Sequence, residues 1–260
     1  YVFTLQQAAA TISQQEARYL VDYYYLTQED RKRASSQVRQ MGEEPHAVLL
    51  WLADQTTKLE NSIKNALGAY SQGSIVGRWA ESQVGIGPVI SAGLLAHIEM
   101  DKAPTVGHIW NFAGLNPGVK WNKGEKRPWN ADLKTLCWKI GESFVKTCNN
   151  PRSYYGPLYM KRKAIEEQRN VNGEFAEASA NKLLAMKISK DTEAYKAYSQ
   201  GIFPPAHVHA MAKRWVVKLF LSHWHGVAFE TAYGRKAPEP YAIAMLGHAH
   251  LLTPPGWPME

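Results

Sequence analysis

Residues 83–98 read Q-V-G-I-G-P-V-I-S-A-G-L-L-A-H-I, a glycine-rich turn followed at once by an apolar helix. Gly85 and Gly87 are expected to supply backbone angles that a side chain would forbid. Pro88 fits the first helical turn, and the apolar residues after it recur at helical spacing. The segment therefore predicts a helix-hairpin-helix motif.

A turn of this kind is suited to holding an anion, because exposed N–H groups and the positive end of the following helix both favour negative charge. The residues predicted to contact a nucleic-acid phosphate here are Gly85, Ile86, Gly87 and Val89. The alternative is an ordinary tight connection between two helices. The segment alone does not decide between them.

The distribution of charge favours the first interpretation. Between Lys102 and Arg169 there are 13 Lys and Arg but only 5 Asp and Glu, whereas the whole chain has a net charge of +7. The positive excess is therefore concentrated directly after the hairpin. Localised basic charge is typical of proteins that bind a polyanion, and nucleic acid becomes the expected partner.

A basic loop, defined as residues 118–130, lies within this region and alternates cations with two tryptophans. Basic side chains neutralise phosphates, and an indole can stack on an unpaired base. The alternative is that both tryptophans anchor the loop to the core. The residues predicted to bind nucleic acid in and after the loop are Lys120, Trp121, Asn122, Lys123, Lys126, Arg127, Trp129 and Lys134.

Composition sets further limits on the class of protein. With 260 residues and 45% hydrophobic content, the chain can bury a substantial core. Cys137 and Cys148 have no CxxC spacing, so neither a disulfide framework nor a cysteine zinc site is indicated. We find no apolar run long enough to span a bilayer and no signal-peptide pattern, and we expect a cytoplasmic protein without a membrane partner.

The hydrophobic periodicity predicts an all-α fold. Ser13 and Glu16 have the spacing of a capping box, and the helix after them is predicted to end near Tyr25. A longer helix is predicted from Pro45, with a seam of Leu49, Leu52, Thr56, Leu59, Ile63 and Leu67. Residues 1–73 are therefore predicted to form a helical arm, and the seam allows homo-oligomerisation.

Two further regions follow the arm. Residues 74–150 are predicted to form the helix-hairpin-helix domain, and residues 151–260 a C-terminal helical region with a Pro-rich tail. The helices predicted in these regions span about 74–83, 89–98, 106–112, 133–145, 157–169, 174–187, 192–199 and 206–232.

Three pieces of sequence occur together: G-I-G-P at 85–88, F-A-G-L-N-P at 112–117, and a basic helix led by Asn130 and Leu133. Over about residues 83–150 the chain thereby resembles the C-terminal domain of the bridge-RNA-guided insertion-sequence transposases. In that family a RuvC-like domain with four acidic residues precedes the helical domain. The resemblance implies a nucleic-acid-facing domain from a mobile element or a phage.

Two departures from the family affect the predicted chemistry. The family's nucleophilic serine corresponds to Asn122, and an earlier serine of its signature corresponds to Gly118. An amide cannot form the covalent phosphoserine link of a serine recombinase, so we predict no catalytic residue. No strand carrying an early Asp is apparent before the hairpin, where the acids are expected to lie on helices facing solvent: Asp22, Glu29, Asp30, Asp54 and Glu60.

Three histidine pairs keep an enzyme hypothesis open, because imidazole is a common metal ligand. The first two pairs lie at 207/209 and 223/225. On one helix, residues 207 and 225 would be about 27 Å apart along the axis, so these two pairs cannot share an ion. The alternative is that these histidines pack where the tail docks on the last helix. The candidate ligands of a transition metal are His207, His209, His223, His225, His248 and His250.

Three classes of function follow. The first is a non-catalytic protein of mobile-element or phage origin that binds DNA or RNA and needs no cofactor. The second is a metal-dependent nuclease or recombinase that uses the histidine pairs. The third is a helical assembly protein. The replacement of the serine, the hairpin and the localised charge together favour the first.

Overall fold

The computed structural model describes residues 5–42, 46–239 and 252–259, and every regular element within those ranges is helical. The predicted all-α class is confirmed. The helices are α1 (Leu5–Ala9), α2 (Gln14–Gln40), α3 (Ala47–Gln72), α4 (Ile75–Ser82), α5 (Pro88–His97), α6 (Val106–Phe112), α7 (Ala131–Lys146), α8 (Tyr155–Val171), α9 (Ala176–Ala185), α10 (Glu193–Ser199) and α11 (Pro205–Tyr233), with a 3-10 turn at Met100–Lys102.

Helix α2 begins at the predicted capping box, in which the Glu16 N–H donates to Ser13 Oγ over 3.2 Å. It continues to Gln40, so the predicted end near Tyr25 is wrong. The apolar repeat stops there, but the Arg, Lys, Gln and Ala residues that follow are good helix formers.

An ion pair between the arm helices corrects another expectation. Glu60 is only 7% exposed and binds Arg31 of α2, so it faces the neighbouring helix and not solvent. Gln28 also donates to Glu60, over 3.3 Å. These contacts hold the polar second half of α2 against α3.

The predicted start of α3 at Pro45 lies outside the described residues. In the described part of α3 only the second half of the predicted apolar seam is buried. Ile63 and Leu67 are buried, whereas Leu52 and Leu59 are exposed. Trp51 beside them is also exposed. The predicted homo-oligomerisation through this arm stays a prediction.

Helix α5 lies against the arm. Val89 and Ala92 pack in one cluster with Val21, Ile63 and Leu67 of α2 and α3. At the other end of α5, the guanidinium of Arg18 donates to the carbonyl of Ala96 over 2.7 Å. A cation at a helix C-terminus stabilises the helix, and this contact fixes the direction in which α5 points.

The main core joins α4 to α8 and α11. Trp79 stacks on Phe220 with centroids 6.0 Å apart, and Phe144 stacks on Tyr155 at 4.7 Å. The tail docks on this core, because the Trp79 indole N–H donates to the carbonyl of Pro255 over 2.9 Å. A smaller cluster of Phe175, Tyr198, Phe203 and Val208 lies under α9 and α10.

The main core contains residues from both sides of position 150, and the predicted boundaries after residues 73 and 150 stay predictions. Among the described helices, none combines the length and the apolar character needed to cross a membrane.

Candidate nucleic-acid interface

The turn between α4 and α5 is closed by the Ile86 N–H, which donates to the carbonyl of Gln83 over 2.9 Å. Gly85 has a φ of +101°, the left-handed region that favours glycine. A Cβ at this position would stand 3.1 Å from both Ser143 Oγ of α7 and Oγ1 of Thr147, the residue that ends this helix. Gly85 therefore serves the turn and its close packing on α7.

Gly87 has a different role. Its φ is −99°, ordinary extended backbone, so the expectation that position 87 needs glycine for its backbone angles is wrong. A Cβ there would meet no atom of the described residues within 4 Å. Gly87 is the N-cap of α5 without a capping side chain, which leaves the helix end open.

Three backbone donors project at this open end. Within the described residues, the N–H groups of Gly87, Val89 and Ile90 have no acceptor, as expected for an uncapped first turn. The side chains of Ile86 and Val89 are buried, so any contact these two residues make with a ligand comes from the backbone.

The uncapped end of α5 opens into a cleft of about 400 Å³, named here the lysine cleft. Its cations come from three helices that are distant in sequence. Among the described residues that line it there is one carboxylate, Glu142, which is paired with Lys213. The lysines that line it are Lys32 of α2, Lys64 of α3, and Lys139 and Lys146 of α7.

Lys139 interacts electrostatically with two of the other lysines of the cleft, Lys32 and Lys146. Burial lowers the pKa of Lys139, and the charge of Lys32 lowers it further. The charge of Glu29 raises this pKa, and the charge of Lys146 lowers it by a smaller amount. The Lys139 ammonium lies 3.8 Å from the Tyr25 ring centroid. Within the described residues Lys64, Lys139 and Lys146 form no ion pair, so the cleft holds uncompensated positive charge.

The sequence-based prediction did not include these four lysines. Lys139 and Lys146 are seven residues apart on one helix, a spacing that places both on the same face and is a usable signal. Lys32 and Lys64 reach the cleft only because α2 and α3 pack beside α5. The order of residues near Lys32 or Lys64 does not predict how α2 and α3 pack beside α5.

The basic loop is folded around Glu125. The backbone N–H and the side-chain amide of Asn122 each donate to the Glu125 carboxylate over 3.1 Å, which lowers the pKa of Glu125. The Trp121 indole N–H donates to the Glu125 carbonyl over 2.8 Å. Asn122 therefore shapes the turn, and Lys120, Lys123 and Lys126 are exposed around it.

Trp129 anchors the loop. It is half-buried against Gly114, whose φ is +63°, and a Cβ at Gly114 would lie 2.8 Å from Trp129 Cγ. Trp121 packs edge-on against Trp129, with centroids 6.1 Å apart, and remains 42% exposed. The alternative in which a tryptophan anchors the loop to the core therefore applies to Trp129. Trp121 exposes its ring to solvent.

Cations cover the two loop tryptophans. The Arg127 guanidinium lies 4.8 Å from the Trp121 centroid, and the Lys134 ammonium lies 4.0 Å from the Trp129 centroid. Burial lowers the pKa of Lys134, and the neighbouring charges of Arg127 and Arg214 lower it further. These three cations form no ion pair within the described residues.

Trp138 connects the two basic areas. Its ring is 57% exposed, and it lines both the lysine cleft and the surface beside Trp121, Arg127 and Lys134. The hairpin end of α5 and the basic loop are therefore parts of one continuous surface.

The histidines of α11 are engaged in hydrogen bonds with different partners. The Nε2–H of His223 donates to the carbonyl of Leu252 in the tail over 2.8 Å, while its Nδ1 lies 2.8 Å from Tyr155 Oη. His225 Nε2–H donates to the carbonyl of Ala103 over 2.8 Å. His207 and His209 lie 2.9 and 2.7 Å from the hydroxyls of Tyr198 and Tyr159.

Through these contacts the four histidines of α11 hold neighbouring segments of the fold together. His223 does so where the tail docks. In the described ranges no three His, Cys, Asp or Glu side chains are grouped as metal ligands would be. His248 and His250, the third predicted pair, lie outside the described residues.

Comparisons with known proteins found no matching family model, no matching curated protein and no matching solved structure.

Proposed function

We propose that this chain is a non-catalytic nucleic-acid-binding protein of mobile-element or phage origin, and that a phosphate of its ligand binds at the uncapped end of α5. One observation carries the proposal. Gly87, Val89 and Ile90, whose N–H groups have no acceptor within the described residues, line a cleft that Lys32, Lys64, Lys139 and Lys146 also line. Backbone donors, the helix dipole and lysine charges all favour an anion at the same point.

The extent of the surface supports nucleic acid over a small anion. The lysine cleft alone would be sufficient to bind a single phosphate. Cations without an ion pair in the described part of the chain also lie beyond Trp138, at Lys134 and Arg127. Exposed indole rings accompany them at Trp121 and Trp138. Alternation of cations with aromatic faces suits a phosphate backbone whose bases are accessible for stacking.

The resemblance to the transposase C-terminal domain supports the same proposal and stays a prediction. The G-I-G-P segment that carries part of this resemblance forms the N-terminal end of α5. Asn122 stands at the position that corresponds to the family's nucleophile. Because the backbone N–H and the side-chain amide of Asn122 each donate to the Glu125 carboxylate, this residue has a role in folding the loop. An amide supplies no nucleophile at neutral pH, so we assign binding and no strand transfer to the loop.

A pair of substitutions at Gly87 tests the proposal. Asp and Asn are both preferred N-cap residues, and the extended backbone at this position accepts either. We expect Gly87→Asp to keep the stability of the protein or raise it by a few tenths of a kcal/mol, while it weakens nucleic-acid binding at least tenfold. The cause is that its carboxylate caps the same N–H groups and repels a phosphate.

Gly87→Asn is the matched control, because it caps the helix without the charge and should weaken binding less. Fluorescence anisotropy with labelled single-stranded and duplex oligonucleotides of DNA and of RNA gives the affinities, and urea unfolding gives the stabilities. Wild-type affinity in the folded Gly87→Asp variant would remove the α5 end from the binding surface.

A further inference from the structure

A second and larger cleft lies between α7, α8, α11 and the turn at residues 114–119. Its volume is about 700 Å³, within the range of small-molecule sites. It shares Trp129, Lys134 and Trp138 with the surface already described, so it opens directly beside the basic loop. We name it the tryptophan cleft. Its apolar lining includes Leu115, Pro117, Cys137, Met211 and Val217.

Aromatic faces form part of its wall. Trp138 is 57% exposed, and the Lys213 ammonium lies 5.3 Å from its ring centroid. Trp129 is held in place by Gly114 and carries Lys134 at 4.0 Å. A flat apolar group that enters the cleft therefore meets indole rings beside an apolar lining, which is the environment that a nucleobase stacks in.

The charges of the cleft are unbalanced. Glu166 is the one carboxylate among its lining residues, and Arg162 and Arg169 both bind it. Lys213 is paired with Glu142, which leaves Lys134, Arg214 and Lys218 without an ion pair in the described part of the chain. Lys134 and Arg214 both line this cleft, and the charge of Arg214 contributes to the lowered pKa of Lys134, so an anion bound between them is favoured.

We propose that the tryptophan cleft holds one unpaired nucleotide, with its base against Trp138 and the apolar lining and its phosphate on Lys134 and Arg214. This inference rests on the proposed function and adds a preference to it. A base within a duplex is covered on both faces and cannot enter such a cleft, so the ligand is a bulged, single-stranded or terminal nucleotide. DNA and RNA share this chemistry.

The probe is a duplex with one bulged 2-aminopurine nucleotide, compared with the same strand fully paired, each made as DNA and as RNA. We expect the wild-type protein to bind the bulged duplex about tenfold more tightly at the same salt concentration, because one stacked base contributes on the order of a factor of ten. The 2-aminopurine fluorescence should fall on binding, since the base leaves water and stacks on an indole.

Two variants assign the preference to the cleft. Trp138→Ala and Arg214→Gln should each reduce the ratio of bulged-duplex to paired-duplex affinity severalfold, because the larger loss falls on the bulged duplex. Trp138→Phe keeps an aromatic face and should retain most of the preference. Arg235→Gln is the control for the removal of one positive charge, because Arg235 follows the far end of α11 and lies 5.2 Å over Phe229.

The outcomes separate this inference from the proposed function. Equal affinity of the wild-type protein for bulged and paired duplexes would overturn the nucleotide site and leave nucleic-acid binding intact. Binding of neither duplex at low salt would overturn both. A preference seen with DNA alone or with RNA alone identifies the natural source of the nucleotide.

Discussion

The Gly77→Ala variant is expected to lose about 3 kcal/mol or more of its unfolding free energy, the cost of overpacking a site that cannot relax. Gly77 lies in α4, where a Cβ would stand 2.0 Å from the carbonyl oxygen of Ser71 at the end of α3. Ser71 is buried and its hydroxyl donates to Ser91 Oγ of α5 over 2.7 Å. The contact therefore joins the arm, the first hairpin helix and the helix with the proposed phosphate site.

Gly107→Ala is the matched control, because it adds the same methyl group to α6 with no contact closer than 3.5 Å. Its stability should equal that of the wild type or exceed it slightly, since Ala is the better helix former. Urea unfolding of both variants gives the comparison. Equal stabilities for Gly77→Ala and Gly107→Ala would show that α3 and α4 do not approach as closely as described.

The second large effect concerns pH. Burial lowers the pKa of His223 to about 4 in the folded protein, whereas an unfolded histidine titrates near 6.5. Between these values the unfolded chain binds a proton that the folded protein does not bind. Stability therefore falls as the pH drops from about 6.5 to about 4, by about 3 kcal/mol for this residue. Burial likewise lowers the pKa of His97 to about 4, in the same direction.

The His223→Gln variant isolates this contribution. Glutamine can donate to the carbonyl of Leu252 and accept from the Tyr155 hydroxyl, as His223 does, but it does not titrate. The unfolding free energy of the variant should therefore change less steeply below pH 6.5, by about 1.4 kcal/mol per pH unit. Identical slopes for the two proteins would contradict the assignment of a buried, neutral His223.

The helices were predictable because apolar residues repeat at helical spacing wherever one face is buried. Val106–Phe112 was predicted with the bounds it has. The second half of α2 was not, because its side chains are mostly polar and a polar helix has no hydrophobic period. This half of α2 is held against α3 by the ion pair of Arg31 and Glu60. A pattern of neighbouring residues cannot predict a contact between two helices.

The candidate site was predictable only in part. Gly87 was identified from the hairpin because it was expected to need backbone angles that a side chain would forbid, but its backbone is ordinary extended chain that any residue adopts. The lysine cleft depends on tertiary packing that brings Lys32, Lys64 and Lys139 to one helix end. The α11 histidines His209, His223 and His225 have tyrosine and carbonyl partners from distant segments, which spacing along α11 does not reveal.

The salt dependence of binding tests the central claim most directly. The lysine-cleft variant replaces Lys64, Lys139 and Lys146 by Gln, and the control replaces Lys182, Lys187 and Lys190, which have no ion pair in the described residues. For each phosphate that a variant no longer neutralises, the negative slope of log affinity against log salt should become shallower by about 0.9 on duplex DNA and about 0.7 on single strands. We predict a slope shallower by about two units for the lysine-cleft variant and a wild-type slope for the control. Equal slopes for the two variants would contradict phosphate binding at the end of α5.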